Sequence, residues 1–147
     1  MKIAMACDHG GYVLKEFLKA ALIEKSYDVR DFGCHSTDSM DYPDTAVPAA
    51  ESVASGEAER GIFICTTGIG MSICANKVKG IRCALCTDTE SARMTREHND
   101  TNILALGAKN VTEALALAIC ETWLTTAFSG AERHVRRIGK IKEYEEK

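Results

Sequence analysis

Short apolar runs alternate with helical patterns along this chain, and that alternation restricts its fold more than any other feature. Four runs are almost continuously apolar, and a fifth alternates apolar with charged residues. The five runs cover residues 3–6, 27–32, 61–65, 81–86 and 103–107. Continuous apolar character is typical of strands buried on both faces of a parallel sheet, whereas the alternation in 27–32 indicates a strand at a sheet edge.

Amphipathic helical patterns lie between these runs. In 12–25 apolar residues recur three and four positions apart, and lysine and glutamate fill the opposite face. Similar patterns cover 45–55, 71–78, 91–99, 112–126 and 132–145. We expect Pro43 and Pro48 to lie near the start of the second helix, where proline is tolerated. A strand followed by a helix, repeated five times, predicts the α/β class: a three-layer αβα Rossmann-like domain with a five-stranded parallel sheet and a C-terminal helix.

Length and composition narrow the function classes. The 147 residues suffice for one core, and no linker or repeat interrupts them, so we expect a single domain over 1–147. The apolar runs are too short to cross a bilayer and no secretory signal is evident, which predicts a cytoplasmic protein with no membrane partner. A net charge of −3 with 6% aromatic residues argues against nucleic acid. A small molecule is therefore the expected ligand.

The chain has seven cysteines, which we expect to remain thiols because an odd number without a secretory signal does not indicate a disulfide framework. Cys83 and Cys86 have the spacing of a metal or redox motif, but residues three apart in a strand point to opposite faces. Four further candidate ligands follow the first two runs at spacings that match no zinc motif: Cys7, His9, Cys34 and His35. We expect no metal site.

Ligands of open parallel sheets gather at the carboxyl ends of the strands, and the loop after the third run carries the strongest signal there. Cys65 closes that run, and two threonines and two glycines lead into a helix near Met71. Such a glycine turn brings several N–H groups toward one point and so forms an anion hole, and a helix N-terminus favours a thiolate. We expect a reactive Cys65, although a strand-ending cysteine is as often an inert core residue.

Three common classes of protein with this kind of fold do not fit. A low-molecular-weight phosphatase needs an arginine six residues after the cysteine, where Met71 stands. A response-regulator receiver needs an aspartate in place of Cys65. A dinucleotide-binding protein places its glycines after the first strand, where Asp8 and His9 interrupt the loop.

Two further segments could carry chemistry. His98 and Asn99 end the fourth helix, where a histidine is either a simple cap or an acid/base group. Arg133, Arg137 and Lys140 fall on one face of the last helix. Paired arginines suit a phosphate dianion, but a solvated basic face is the alternative.

Together these segments resemble one known family. The strings CDHGG, DYPD, GIFICTTGIGMSICANKVKGIRCALC, SARMTREHND and RHVRRI occur in the order and positions of the ribose-5-phosphate isomerase B family, which also contains allose-6-phosphate and galactose-6-phosphate isomerases. The resemblance runs essentially from end to end. It implies an aldose–ketose isomerase that interconverts D-ribose 5-phosphate and D-ribulose 5-phosphate through an enediolate, with no metal or cofactor.

The resemblance also implies roles for individual residues. Cys65 matches the base that moves a proton between C1 and C2, and His98 matches the group that opens the sugar ring. The hydroxyl and backbone amides of one segment match the family's anion hole, which stabilises the enediolate oxygen: Thr67, Gly68, Ile69, Gly70 and Met71. Four residues match groups that hold or shuttle protons on the sugar hydroxyls: Asp8, His9, Asp41 and Tyr42. Asn99 matches a residue that contacts the sugar. The phosphate clamp matches Arg133 and Arg137, with His9 and His134 nearby.

Two positions depart from the family pattern. Thr66 stands where many members have glycine, and Lys109 stands where some carry a third phosphate-binding arginine. Thr66 keeps open a six-carbon sugar phosphate or a rare free sugar as the substrate, and a non-catalytic sugar-phosphate sensor is a third reading. Members work as dimers or tetramers with active sites between subunits. Because Cys65, His98 and both clamp arginines occur in this one chain, we expect a homodimer or homotetramer.

Overall fold

The computed structural model describes residues 1–147 and confirms the alternation of strands and helices. The strands are β1 (Lys2–Cys7), β2 (Asp28–Asp31), β3 (Arg60–Cys65), β4 (Cys83–Leu85) and β5 (Ile103–Gly107). The helices are α1 (Tyr12–Glu24), α2 (Pro43–Ala54), α3 (Ile69–Ala75), α4 (Thr89–Asn99), α5 (Glu113–Thr125) and α6 (Glu132–Glu145). A short 3-10 turn, His9–Gly11, lies between β1 and α1.

All strand pairs are parallel, and the sheet order is β2-β1-β3-β5-β4. β2 lies at one edge, as its alternating sequence predicts. After β1 the chain forms β2 at one edge of β1, and it then forms β3 at the other edge of β1. The direction in which strands are added therefore reverses between β1 and β3. The carboxyl ends of β1 and β3 therefore form the topological switch point at which such sheets bind ligands.

Helices cover both faces of the sheet, which completes the expected three layers. Side chains of α1, α4 and α5 pack on one face against alternate strand residues such as Met5 and Ile64. Side chains of α2 and α3 pack on the other face, where the strands present Ala4, Ala6 and Phe63. Small alanines on this second face let α2 approach the sheet closely.

Trp123 of α5 is fully buried and belongs to the core of the chain. Its indole N–H donates to the hydroxyl of Thr101 at 2.9 Å, which satisfies the one polar group of the side chain. No helix of the chain combines the length and apolar character needed to cross a bilayer.

The fourth strand differs from its prediction. We expected a buried strand over 81–86, but β4 is three residues long and lies at the sheet edge, with Leu85 37% exposed. The side-chain amide of Asn76 donates to the Cys83 carbonyl at 2.9 Å and accepts from the Cys83 N–H at 2.8 Å. This amide takes the place of a further strand and so ends the sheet there.

Three helices begin two residues earlier than predicted, and one of them is α4, which begins at Thr89 rather than at residue 91. α2 begins at Pro43, which leaves Pro48 inside the helix rather than in its first turn. α3 covers Ile69–Ala75 rather than 71–78, because Gly68 precedes it with a positive φ of 76° and starts the helix earlier. Cys83 and Cys86, which have the spacing of a metal motif, lie on opposite faces of the sheet, as strand geometry predicts. Cys86 packs against the face covered by α1, α4 and α5, and Cys83 packs against the other face.

Candidate active site

The loops after β1 and β3 are joined at the switch point. The N–H of Asp8 donates to the carbonyl of Ile64 at 3.2 Å, which continues the pairing of β1 with β3 by one residue. The following residues of the two loops are therefore neighbours. Both loops enter helices whose first N–H groups have no intrahelical acceptor, which makes the crevice between them suited to anions.

Cys65 lies at the base of this crevice and is 4% exposed. Its Sγ accepts a hydrogen bond from the N–H of Gly68 at 3.1 Å, so a backbone donor of the turn points at the sulfur. A β carbon at Gly68 would lie 2.5 Å from Cδ1 of Leu85 and 2.8 Å from the carbonyl carbon of Leu106. Positive φ and this close packing require glycine here, so the turn that aims the N–H at the thiol depends on Gly68.

The residues after Gly68 offer mainly backbone groups. The N–H of Ile69 contacts the hydroxyl oxygen of Thr67 at 3.3 Å, while Gly70 and Met71 occupy the first turn of α3. The Met71 side chain is fully buried in the core beneath the sheet. Of the predicted anion hole, Met71 can therefore contribute its N–H but not its side chain.

The loop after β1 is held in shape by its own side chains. The Asp8 carboxylate accepts from the N–H groups of Gly10 at 2.9 Å and Gly11 at 3.2 Å, so one carboxylate oxygen caps the turn. The Nδ1 of His9 accepts from the N–H of Met40 at 3.2 Å. This bond assigns the proton of a neutral imidazole to Nε2 and leaves Nε2 free for a ligand.

Two glycines bring neighbouring side chains against the crevice. A β carbon at Gly10 would collide with the hydroxyl of Thr66, so the Thr66 side chain lies against the first loop. A β carbon at Gly70 would lie 2.9 Å from the ring of Tyr42, so that ring covers the start of α3. Thr45 fixes this corner, because its hydroxyl donates to the Cys7 carbonyl at 2.8 Å.

Lys109 reaches the same end of the sheet. Its N–H donates to the Thr66 carbonyl at 3.0 Å, and its exposed ammonium makes no ion pair. Asp41 precedes α2 beside Tyr42, with an exposed side chain that makes no hydrogen bond. We call the predicted residues at this end of the sheet the carboxyl-end half-site: Asp8, His9, Asp41, Tyr42, Cys65, Thr66, Thr67, Gly68, Ile69, Gly70, Met71 and Lys109.

The remaining predicted residues form a second cluster where α4 ends against the start of α6. The rings of His98 and His134 stack with centroids 4.5 Å apart. His134 is buried, and burial together with the charges of Arg133 and Arg137 lowers its pKa. Both arginines are exposed and make no ion pair. We call this cluster the amino-end half-site: His98, Asn99, Arg133, His134 and Arg137.

Hydrogen bonds fix the position of this second half-site. Arg82, just before β4, donates from Nε to the Asn99 carbonyl at 2.9 Å and from Nη2 to the Asp100 carbonyl at 2.8 Å. The cluster therefore lies at the amino ends of β4 and β5, whereas Cys65 lies at the carboxyl end of β3. β5 covers Ile103–Gly107, roughly 13 Å of extended chain. Since these strands run parallel, one chain does not bring the two half-sites together.

Sequence reasoning missed residues that shape the site without obvious chemistry. Gly107 has no room for a β carbon, because the Thr67 carbonyl oxygen would lie 2.5 Å away. Met40 holds His9 through its backbone, and Arg82 holds Asn99. Gly107 ends a buried strand, which was an available signal, but nothing in the sequence pattern marks Met40 or Arg82. No group of three or more His, Cys, Asp and Glu side chains is arranged to hold a metal ion.

Fold and site together define a doubly wound α/β protein with a thiol and an anion-binding turn at its switch point. A model of the ribose/galactose isomerase family matches residues 3–141. The chain is 44% identical over 146 residues to ribose-5-phosphate isomerase B of Escherichia coli K12, and the alignment covers 99% of this chain and 97% of that protein. The chain belongs to the ribose/galactose isomerase family.

Solved structures of relatives have the same fold. Ribose-5-phosphate isomerase B of Clostridium thermocellum matches with a TM-score of 0.97 and 55% identity, over 99% of this chain and 98% of that one. Ribose-5-phosphate isomerase B of Mycoplasma genitalium, with bound ribulose-5-phosphate, matches with a TM-score of 0.95 and 38% identity, over 99% and 97%. The expected fold class and the family resemblance are both confirmed.

Proposed function

We propose that residues 1–147 form one isomerase domain that interconverts D-ribose 5-phosphate and D-ribulose 5-phosphate without a metal or cofactor. The observation that carries the proposal is the buried Cys65 Sγ, held 3.1 Å from the N–H of Gly68 at the switch point of the sheet. Aldose–ketose isomerisation needs a base beside a group of oxyanion donors, and these neighbours supply both. The matching family and relatives named for this reaction support it.

The reaction moves one proton from C2 to C1 and one from the C2 oxygen to the C1 oxygen, and the formula of the sugar phosphate is unchanged. The Cys65 thiolate removes the proton from C2 of the open-chain aldose, the C1 oxygen gains charge, and an enediolate forms. The N–H groups of Gly70 and Met71 and the hydroxyl of Thr67 stabilise that charge. Cys65 then returns a proton to C1, while the proton of the C2 hydroxyl is transferred to the C1 oxygen, which gives the ketose. Asp41 and Tyr42 hold or shuttle protons on the sugar hydroxyls.

The second half-site supplies the other steps. His98 opens the furanose ring by proton transfer, and Asn99 contacts the sugar. Arg133 and Arg137 hold the phosphate, for which two unpaired guanidinium groups on one helix face are suited. His9, His134 and Lys109 add positive or polar contacts near the phosphate, and Asp8 holds the loop that carries His9.

Both half-sites meet only when a second copy of the chain contributes one of them. We propose a homodimer, or a homotetramer built from such dimers, with each active site between two subunits. The separation of Cys65 from His98 within one chain supports this arrangement. Exposed apolar side chains beside each half-site also support it: Ile69 is 52%, Ile73 54% and Val135 51% exposed. Contact between copies would cover them.

The phosphorylated pentose is the proposed partner, and the cytoplasm is the proposed compartment. Seven free cysteines fit a reducing environment. A six-carbon sugar phosphate or a rare free sugar is the second candidate substrate within the family. The observation that bears on it is the Thr66 side chain, which occupies the space over Gly10 between the two crevice loops.

Turnover in heavy water tests the proposal. Ribose 5-phosphate should yield ribulose 5-phosphate with deuterium at C1, to the extent that Cys65 exchanges its proton with solvent. Cys65→Ala should bind the sugar phosphate but lose turnover by about 10²- to 10⁴-fold, whereas Cys74→Ala, in the adjacent helix, should retain it. Binding of ribose 5-phosphate without any ketose would instead indicate a sugar-phosphate sensor, and full activity of Cys65→Ala would exclude Cys65 as the base.

A further inference from the structure

The sulfur atoms of Cys7 and Cys34 lie 3.5 Å apart, although the two residues are 27 positions apart in sequence. Cys7 ends β1, and Cys34 follows the neighbouring β2. The Cys7 N–H donates to the Gly33 carbonyl at 2.6 Å, and the Cys34 N–H donates to the Cys7 carbonyl at 3.0 Å. Hydrogen-bonded neighbouring strands lie about 4.8 Å apart, within the Cα separation that a disulfide requires.

Accessibility and contact between the sulfurs distinguish this pair from the other cysteines of the chain. Cys34 is half-buried and can meet a reagent from solvent, while Cys7 is fully buried behind it. No other pair of cysteine sulfurs is in contact. The buried ammonium of Lys15 donates to the Cys34 carbonyl at 2.6 Å. Burial raises the pKa of the Cys7 thiol, and the nearby charge of Lys15 only partly opposes that increase. The contact between the two sulfurs, with Cys34 as the solvent-accessible partner, is therefore what makes this pair suited to thiol–disulfide exchange.

We propose that Cys7 and Cys34 form a reversible intramolecular disulfide and that this disulfide lowers the turnover of the adjoining crevice. The oxidant is a low-molecular-weight disulfide such as glutathione disulfide. Sγ of Cys34 attacks one sulfur of the reagent and releases one thiol. Cys7 then loses its proton as its sulfur attacks Sγ of Cys34 and releases the second thiol. One S–S bond breaks and one forms: two cysteine thiols are oxidised, and their two protons end on the two thiols released.

The pair is connected to the site through backbone groups. Cys7 immediately precedes Asp8, whose carboxylate caps the His9 turn, and the Cys7 carbonyl accepts the Thr45 hydroxyl at 2.8 Å. Cys34 begins the segment that leads to Met40, whose N–H bonds to His9. A disulfide draws the sulfurs from 3.5 Å to about 2 Å. This movement shifts the supports of the carboxyl-end half-site. The predicted loss of turnover rests on the isomerase function proposed above.

Peptide mapping tests the bond directly. The whole protein is treated with glutathione disulfide, and one portion is digested with trypsin without reduction. Peptides 3–15 and 31–60 each contain one cysteine, Cys7 and Cys34 respectively. The expected result is a linked pair of these peptides, five free thiols in place of seven, and a several-fold fall in kcat, all reversed by dithiothreitol. Cys34→Ser should form no link and keep its activity, whereas Cys83→Ser, at another half-buried cysteine, should behave like the unmodified chain.

Three results would overturn the proposal. The first is a Cys34 that stops at the mixed disulfide with glutathione, with no linked peptide. The second is a fully linked protein with unchanged kcat. The third is an equal loss of activity in Cys34→Ser, which would assign the sensitivity to Cys65. If the untreated chain has no isomerase activity, the proposed function fails, while the peptide map still decides whether the bond forms.

Discussion

The imidazole rings of His98 and His134 stack with centroids 4.5 Å apart and planes inclined by 15°. His134 is 7% exposed, and its Nε2 has no hydrogen-bond partner. Burial, together with the charge of Arg133, lowers the pKa of His134 below its ordinary value of 6.5. The folded chain therefore binds a proton at His134 less readily than the unfolded chain does.

The first prediction follows from that difference in proton binding. The free energy of unfolding should be highest above pH 6.5, the ordinary pKa of histidine, and should fall as the pH drops through the lower folded-state pKa of His134. Urea unfolding between about pH 8 and pH 5 measures this dependence. His134→Gln should reduce it, whereas His35→Gln, at an exposed histidine, should not. An unchanged pH dependence in His134→Gln would contradict the assignment.

The second prediction concerns the division of the site between two chains. Cys65→Ala and His98→Asn should each be inactive, but subunit exchange between them should restore about a quarter of the activity, because half of the dimers are mixed and each mixed dimer has one intact site of two. Activity is measured after the two variants are unfolded and refolded together.

A matched control uses two variants of the same half-site. Cys65→Ala mixed with Thr67→Ala should give no restoration, since no mixed dimer then has an intact carboxyl-end half-site. If mixed dimers of Cys65→Ala and His98→Asn form but have no activity, both half-sites of each active site belong to one chain.

The third prediction is that Arg137 acts mainly in binding. Loss of a hydrogen bond to a charged group costs about 1.5–3 kcal/mol, so Arg137→Ala should raise KM for ribose 5-phosphate about 10- to 100-fold with a smaller change in kcat. The KM of Arg137→Lys should lie between that of the unmodified chain and that of Arg137→Ala, because lysine keeps the charge but not the bidentate geometry. Arg136→Ala, on a different face of α6, is the control and should change KM little. A loss confined to kcat would contradict a binding role.

Much of the fold could be predicted because its strands are short and almost wholly buried. The central strands β1, β3 and β5 read as continuous apolar runs, and the one alternating run became the edge strand β2. β4 was mispredicted for a physical reason. Its apolar sequence suggested burial by a further strand, but the amide of Asn76 occupies that position instead. Such side-chain to backbone pairing leaves no periodic signal.

The carboxyl-end half-site was predictable because it follows from a rule on where parallel sheets bind ligands. The strand order was not predicted, so the reversal between β1 and β3 emerges only from the structure. His98 was predicted at the end of the fourth helix, but its position at the opposite end of the sheet from Cys65 was not predicted. Contacts such as Cys7 with Cys34, or Thr66 with Gly10, depend on how separate loops approach each other, which sequence patterns do not encode.

The fourth prediction tests the contact between Gly10 and Thr66. Because a β carbon at Gly10 collides with the Thr66 hydroxyl, Gly10→Ala should lower the free energy of unfolding by about 1–3 kcal/mol, the usual cost of overpacking. It should also lower kcat, since the two crevice loops are forced apart. The double variant Gly10→Ala with Thr66→Gly should recover both. A double-mutant cycle that shows no coupling would mean that the two side chains do not share this space.

The same Thr66→Gly variant addresses the choice of substrate. The ratio of kcat/KM for ribose 5-phosphate to that for allose 6-phosphate compares transition-state binding of the two sugars directly. We expect the unmodified chain to favour ribose 5-phosphate, and Thr66→Gly to shift the ratio toward the larger sugar by opening the space between the loops. A ratio that favours allose 6-phosphate in the unmodified chain would make a hexose phosphate the substrate.

The fifth prediction concerns a buried ion pair that holds the start of the segment after β2, where Lys15 donates to the Cys34 carbonyl and Asp31 accepts from the Gly33 N–H. The Lys15 side chain is fully buried, and its ammonium donates to the two carboxylate oxygens of Asp31 at 2.7 and 2.9 Å. Asp31→Asn would leave Lys15 with only the more distant Glu16 carboxylate, at 3.3 Å, as a counter-charge, so the free energy of unfolding should fall by about 3 kcal/mol. Urea denaturation measures the change, and Asp28→Asn, at an exposed position of the same strand, should shift it by no more than about 0.5 kcal/mol.

The acid dependence of the same pair gives an independent check. Burial opposes ionisation of Asp31, but hydrogen bonds from Lys15 and Lys19 outweigh it and lower the pKa of Asp31 below 3.8. The stabilisation is therefore fully present above pH 3.8 and is lost as the pH falls through the folded-state pKa. Asp31→Asn should lack this part of the acid-induced loss. If Asp31→Asn instead keeps both the stability and the acid profile of the unmodified chain, Glu16 alone balances Lys15, and the Asp31 charge does not stabilise the fold.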